Sequence, residues 1–284
     1  MRLCRFGNGR LGVVDGDRLR DVTAALDSLP TYRHPLPGFD VLIANLDALR
    51  PTIDAIARQS PSVPLAGVTL LSPVANPGKL IGAPVNYQQH LEEVLVNPDL
   101  HHGNQVPVIQ RAGLFLKATS SLVGAGEGIT LRKPDRRTDH EVELAFVIGK
   151  PASQVARADA LDYVAGYCIG LDISIRGPEE RSLRKSPDTY SVLGPWLVTA
   201  DEIPDPGALG LQLSVNGQVR QQSSTSDLIM GVAELIEYTS SFYTLHPGDV
   251  VFTGTPAGVG PIQSGDTITA CIDKIGTMQV HVRA

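Results

Sequence analysis

The chain has 284 residues, 42% hydrophobic and 19% charged, a balance that suits an ordinary globular protein with room for a large core. A net charge of -6 and a pI near 5.6 argue against nucleic acid or an anionic membrane as the main partner and leave small metabolites open. Cys4, Cys168 and Cys271 are too widely spaced for a zinc knuckle or a disulfide framework and fit a reducing cytoplasm, and no apolar run approaches a membrane span or a signal-peptide core.

Residues 1–72 read as a small N-terminal α/β unit. Short strands are expected at 3–6 and 11–14 around Gly-rich turns, followed by helical patterns at 22–26 and 39–58. Pro61, Pro64, Pro73 and Pro77 then mark a stiff connection, so the second unit spans 73–284. There, residues 80–85 read as a strand leading into a helix over 86–96, capped by Asn86 with Gln89 at the third helical position. His90 and Glu93 share a face of that helix. A carboxylate beside an imidazole raises its basicity and fixes its orientation, as a general base requires; the competing reading is a surface pair. A long polar loop follows at 98–112, with His101 and His102 given no role, and then a short strand at 115–117 whose Lys117 can face a site, an exposed strand lysine being the favoured reading.

The stretch from Asp139 to Gly149 is the most informative. It has no turn residue between its ends and reads as a strand. Alternation puts Glu141, Glu143, Ala145 and Val147 on one face and Val142, Leu144, Phe146 and Ile148 on the other. Carboxylates two apart on a strand lie about 6–7 Å from each other, and at an effective dielectric of about 20 they repel by about 2–3 kcal/mol. A positive group is therefore expected between them, unless both are solvated. A second apolar strand at 163–171 runs straight into Asp172. Three carboxylates with no cysteine or histidine on their face form an all-oxygen set suited to Mg²⁺, Mn²⁺ or Ca²⁺ rather than zinc.

The next loop, 174–189, is dense in both charge signs and leaves the strand that carries Asp172, so a cation from it can reach the same site. Residues 211–219 alternate around Asn216-Gly217, a hairpin signal. Ser226 or Asp227 is expected to cap a helix with Leu228, Val232, Leu235, Ile236 and Phe242 on its core face. A strand at 250–252, a Gly-rich loop at 253–260 and a strand pair at 267–271 and 277–282 complete the chain. The loop lacks the Lys and Ser/Thr of a P-loop, though its amides and hydroxyls can bind a carboxylate.

Taken in order, several of these pieces resemble the fumarylacetoacetate hydrolase family. They are Asn86-Tyr87 with His90 and Glu93, Phe115-Leu116-Lys117, Glu141 with Glu143, Tyr163 to Tyr167, and Asp172 with Ser174 and Arg176. Leu193 to Leu197, Asn216-Gly217, Thr225-Ser226-Asp227 and the 253–260 loop continue the series, over about residues 75–284. The resemblance implies an α+β, β-rich fold, a mixed sheet rolled into a sandwich-like barrel, usually dimeric. It implies that Glu141, Glu143 and Asp172 hold Mg²⁺ or Mn²⁺, that His90 and Glu93 activate water on a lid, and that Lys185 steadies developing negative charge. Tyr87, Arg176 and Thr255 are the implied substrate contacts. Leu171 and Gly177 stand where asparagine and aspartate are common, and Arg184 and Pro187 depart from the pattern around Lys185, which leaves the metal set intact and puts substrate identity in question.

The expected function is a metal-dependent hydrolase cleaving a carbon–carbon bond in a 2,4-dioxo acid of the acylpyruvate or fumarylpyruvate type. Such a cleavage leaves a carbanion beside a carbonyl, which a cation chelated by the 2-oxo acid stabilises. A decarboxylase or isomerase of aromatic catabolism, a ureidoglycolate-type lyase and a non-catalytic metabolite-binding protein are the competing readings.

Overall fold

The strand Val142–Ile148 is buried at every position, and its neighbours are arranged around it. The computed structural model describes residues 1–103 and 106–284. Among these, the largest sheet holds 12 strands. Val142–Ile148 pairs antiparallel with Val164–Asp172 on one side and Val250–Phe252 on the other. Leu80–Gly82 and Phe115–Lys117 extend the sheet beyond Val250–Phe252, and Ser191–Thr199 extends it beyond Val164–Asp172. A five-stranded sheet contains Gly210–Val215, Gln218–Ser224, Thr267–Ile272 and Gly276–Arg283, and packs against the first, giving the α+β, β-rich architecture.

The two faces of the central strand behave as its alternation predicts. Val142, Leu144, Phe146 and Ile148 enter the main core with Leu235 and Ile236 of the helix Val232–Phe242. Ala145 and Val147 enter a second core with Leu46, Leu49 and Ile53 of the helix Leu46–Gln59. The first 72 residues, expected as a separate unit, thus share a core with the rest. They share the sheet as well, because Arg2–Phe6 pairs with Ser191–Thr199 and carries Arg10–Asp15 and Arg18–Asp21 outward.

Several local expectations are corrected. The 22–26 helix is a 3-10 segment, Thr23–Ser28, and the 39–58 pattern is two helices, Val41–Ala44 and Leu46–Gln59. Asn86 is not a cap: it is fully buried, and the helix Gln88–Val96 starts after Tyr87 without a side-chain cap. The 98–112 stretch holds two one-turn helices, Pro98–His101 and Ile109–Ala112, while its positions 104 and 105 lie outside the described residues. Ser226 and Asp227 belong to a 3-10 turn, Gly231 precedes the following helix, and Phe242 at its end is 67% exposed, because the apolar stripe runs past the core there. Among the described residues, no helix is long and apolar enough to cross a membrane.

Candidate active site

The expected strand 139–149 is broken at Glu141. Thr138–His140 leaves the large sheet to pair with Ser174–Ile175 and Gly260–Pro261, while Val142–Ile148 stays in it. Register then fixes the acids. Val142 lies opposite Leu171 and the Asp172 amide donates to the Glu141 carbonyl at 3.0 Å, so Glu141 and Asp172 face each other at the sheet's end. Glu143 lies opposite Gly170, where a Cβ would come within 2.7 Å of the Phe252 ring. One oxygen from each of Glu141, Glu143 and Asp172 lies within 4.8 Å of the others, and all three residues are buried.

Like charges paired across strands destabilise a sheet unless something positive intervenes. Here Lys185 Nζ donates to Glu141 Oε2 and to Asp172 Oδ2, each at 2.7 Å. Arg176 Nη2 donates to Glu141 Oε1 at 2.8 Å, and Lys117 Nζ donates to Asp172 Oδ1 and to the Tyr190 carbonyl. Burial pushes the Glu141 carboxyl up, but Lys185 and Arg176 more than offset that and hold it well below the usual range. Glu143 differs. It accepts the Gly254 amide at 2.6 Å and has no ion-pair partner among the described residues, so burial, reinforced by Asp172, pushes its carboxyl well up.

A buried carboxylate without a cation is the observation that tests metal binding. The donor set is all oxygen, Glu143 lacks counter-charge, and carboxylate oxygens already accepting one hydrogen bond keep a second lone pair. Glu141, Glu143 and Asp172 therefore fit a hard divalent cation.

The acids form the floor of a cavity of about 280 Å³. His90 lines it, buried, with Nδ1 2.8 Å from Glu93 Oε2; Glu93 Oε1 accepts the Gly258 amide at 3.0 Å, which ties the helix to the Gly-rich loop. Asn86 makes the companion tie, donating to the Met230 and Thr253 carbonyls and accepting the Met230 amide. Gly254 sits at φ +100°, and a Cβ there would come within 2.7 Å of Asn86 Cβ, so glycine is required where the loop passes the helix start.

Lys185, Arg176 and Thr255 line the same cavity, but Tyr87 does not: it is buried at the helix start, and its hydroxyl has no hydrogen-bond partner among the described residues. The Arg176 guanidinium, read from sequence as a substrate contact, is engaged by Asp139 Oδ2 at 2.7 Å as well as by Glu141. Thr255 Oγ1 donates to the Val142 carbonyl.

Sequence reasoning missed four residues. Lys117 is buried, because its short strand lies against the floor and not at the surface. Asp139 orients Arg176. His101 lines the cavity. Gln221, buried in the hairpin, accepts the Val142 amide at 3.1 Å and donates to Thr255 Oγ1 at 2.7 Å and the Pro256 carbonyl at 2.8 Å. Alternation around Asn216-Gly217 locates the strand carrying Gln221, but nothing in it signals what Gln221 faces.

The family described as "Fumarylacetoacetate (FAA) hydrolase C-terminal" matches residues 79–283. The chain is 59% identical to a maleylpyruvate hydrolase of Aquipseudomonas alcaligenes, over 100% of each chain. It is similar in structure to maleylpyruvate hydrolase from Sphingobium sp. SYK-6 in complex with manganese (II) ion and pyruvate. That match has a TM-score of 0.84 and 42% identity, and covers 100% of this chain and 99% of that one. A 5-carboxymethyl-2-hydroxymuconate delta-isomerase from Mycobacterium smegmatis matches with a TM-score of 0.72 and 34% identity over 100% and 98% of the two chains.

Proposed function

Because this chain belongs to the fumarylacetoacetate hydrolase family and is a metal-dependent carbon–carbon bond hydrolase of it, we propose that it cleaves maleylpyruvate or its fumaryl isomer to pyruvate and a four-carbon diacid. The observation that carries this reading is that the buried acids and the His90–Glu93 pair line one cavity or stand directly behind its wall. Glu141, Glu143 and Asp172 would hold Mg²⁺ or Mn²⁺, and the cation would supply Lewis-acid stabilisation of negative charge on the 2-oxo acid oxygens.

The chain's own groups account for the remaining steps. Glu93 fixes the His90 imidazole through Nδ1, leaving Nε2 to take a proton from water as its oxygen adds to the distal carbonyl. The carbon–carbon bond then breaks, its electron pair passing to the pyruvate fragment, which is protonated at carbon. Lys185 places an ammonium beside the carboxylates where that charge develops. Thr255 lines the cavity with its hydroxyl proton given to the Val142 carbonyl, so its part is to hold the loop wall against the central strand. Arg176 is ion-paired with Asp139 through Nε and with Glu141 through Nη2, and its part is to orient Glu141. Decarboxylation, isomerisation or ureidoglycolate lysis would give His90 no water to activate.

His90→Ala should lower kcat on maleylpyruvate by about 10²- to 10⁴-fold while Mn²⁺ binding by calorimetry is retained; unchanged turnover removes the base assignment. Exhaustive chelation should abolish activity and Mn²⁺ should restore it, whereas Glu143→Gln should weaken Mn²⁺ binding itself. A homodimer and a cytoplasmic location belong to the same proposal. The first is supported by the family resemblance and checked by light scattering; the second is supported by three separate thiols with no disulfide pattern.

A further inference from the structure

We propose that Arg181 selects substrates carrying a second, distal carboxylate, so that the enzyme prefers dicarboxylic acylpyruvates to those ending in a neutral acyl group. This rests on the hydrolase reading above and deepens it.

Lys185 is committed to Glu141 and Asp172, and Arg176 to Asp139 and Glu141. The Arg184 guanidinium donates to the Glu179 carbonyl at 2.8 Å and the Ile175 carbonyl at 2.9 Å. Arg181 lines the same cavity, yet among the described residues its side chain enters no ion pair and no hydrogen bond. Its guanidinium instead lies over the Phe115 ring, 5.6 Å from the centroid, with the Lys185 ammonium 5.4 Å from the same centroid. Glu180, next in the chain, is occupied: its carboxylate accepts the Ser182 amide at 2.6 Å and caps the short helix Arg181–Lys185. Glu179 is held by Arg136 through both oxygens, each at 2.8 Å.

Burial lowers the Arg181 pKa, with Glu180 offsetting only part of that, as for a cation short of counter-charge. A partly buried guanidinium gains most from a carboxylate that takes two of its parallel donors, and a ligand is the partner still missing. Val94, Leu100 and Val106, which line the same cavity, are apolar and supply no anion. A 2,4-dioxo acid whose first carboxylate and oxo group lie at the acidic floor therefore meets Arg181 as the uncommitted cation for its far end.

The test is a selectivity ratio. kcat/KM is measured for maleylpyruvate and for acetylpyruvate, which ends in a methyl group, with wild type, Arg181→Met and Arg181→Lys, all Mn²⁺-loaded. Arg181→Met should lose about 10- to 100-fold more on maleylpyruvate than on acetylpyruvate, mainly through KM, with Arg181→Lys between the two. Equal losses on both substrates, or none on maleylpyruvate, overturn the assignment of Arg181 and leave the hydrolase reading standing. A wild-type enzyme that cleaves neither substrate overturns the hydrolase reading, and this inference with it. A melting midpoint for Arg181→Met matching wild type shows that a selective loss is not one of folding.

Discussion

Gln221 joins three segments around the site with one amide group. Its oxygen accepts from Val142 and approaches His140 Nδ1 at 3.1 Å, while its nitrogen serves Thr255 and Pro256. Burial lowers the His140 pKa, so the neutral ring is favoured and its Nδ1 proton points at Gln221. Gln221→Ala leaves the Val142 amide and the Pro256 carbonyl buried and unpartnered. A loss of about 1–3 kcal/mol is expected in urea unfolding, with maleylpyruvate turnover falling as Thr255 loses its anchor. The thiols offer a separate check at this scale. Burial pushes the Cys4 thiol up to about 12 and raises Cys168 as well, whereas Cys271 is exposed. At pH 8 the native protein should therefore react with a chromogenic disulfide at Cys271 alone, and all three should react in denaturant.

Among the elements, the short strand Leu80–Gly82 and its edge neighbour Phe115–Lys117 hold the cation side of the site in place. Gly82 lies opposite Phe115, and a Cβ on Gly82 would come within 2.1 Å of Phe115 Cζ. The ring cannot stay put, and it is the surface over which both Lys185 and Arg181 lie. Gly82→Ala should cost about 1–3 kcal/mol of stability and lower activity as well, seen as a reduced melting midpoint with a reduced kcat. The break at Glu141 matters in the same way. A continuous strand would pair Glu141 within the large sheet; the break instead lets Thr138–His140 pair with Ser174–Ile175, one residue beyond Asp172.

At the scale of the whole molecule, the second core is shared. Ile53, Leu49 and Leu46 cover the face of the sheet that presents Ala145, Val147, Cys168 and Phe252. The opposite end of the same strands carries the acids. Unfolding should accordingly be a single calorimetric transition, and a chain starting at residue 73 should aggregate because that face is uncovered. A soluble fragment with its own cooperative transition would show that residues 1–72 are dispensable for the fold.

The two-faced burial of the central strand, the placing of three acids on two strands and the His90–Glu93 face of one helix were legible in the residues alone, because each follows from a short period or spacing. Family-ordered motifs added Lys185. Only the tertiary structure decided where the acids meet, since that depends on the register of Val142 against Leu171 and the break at Glu141. It also decided which cations are spent: Lys117 and Arg176 take their partners from segments distant in the chain, and Arg181 has none among the described residues. Long-range pairing of this kind leaves no periodic trace, so neither the contacts of Gln221 nor the burial of Lys117 against Asp172 could be read from the chain.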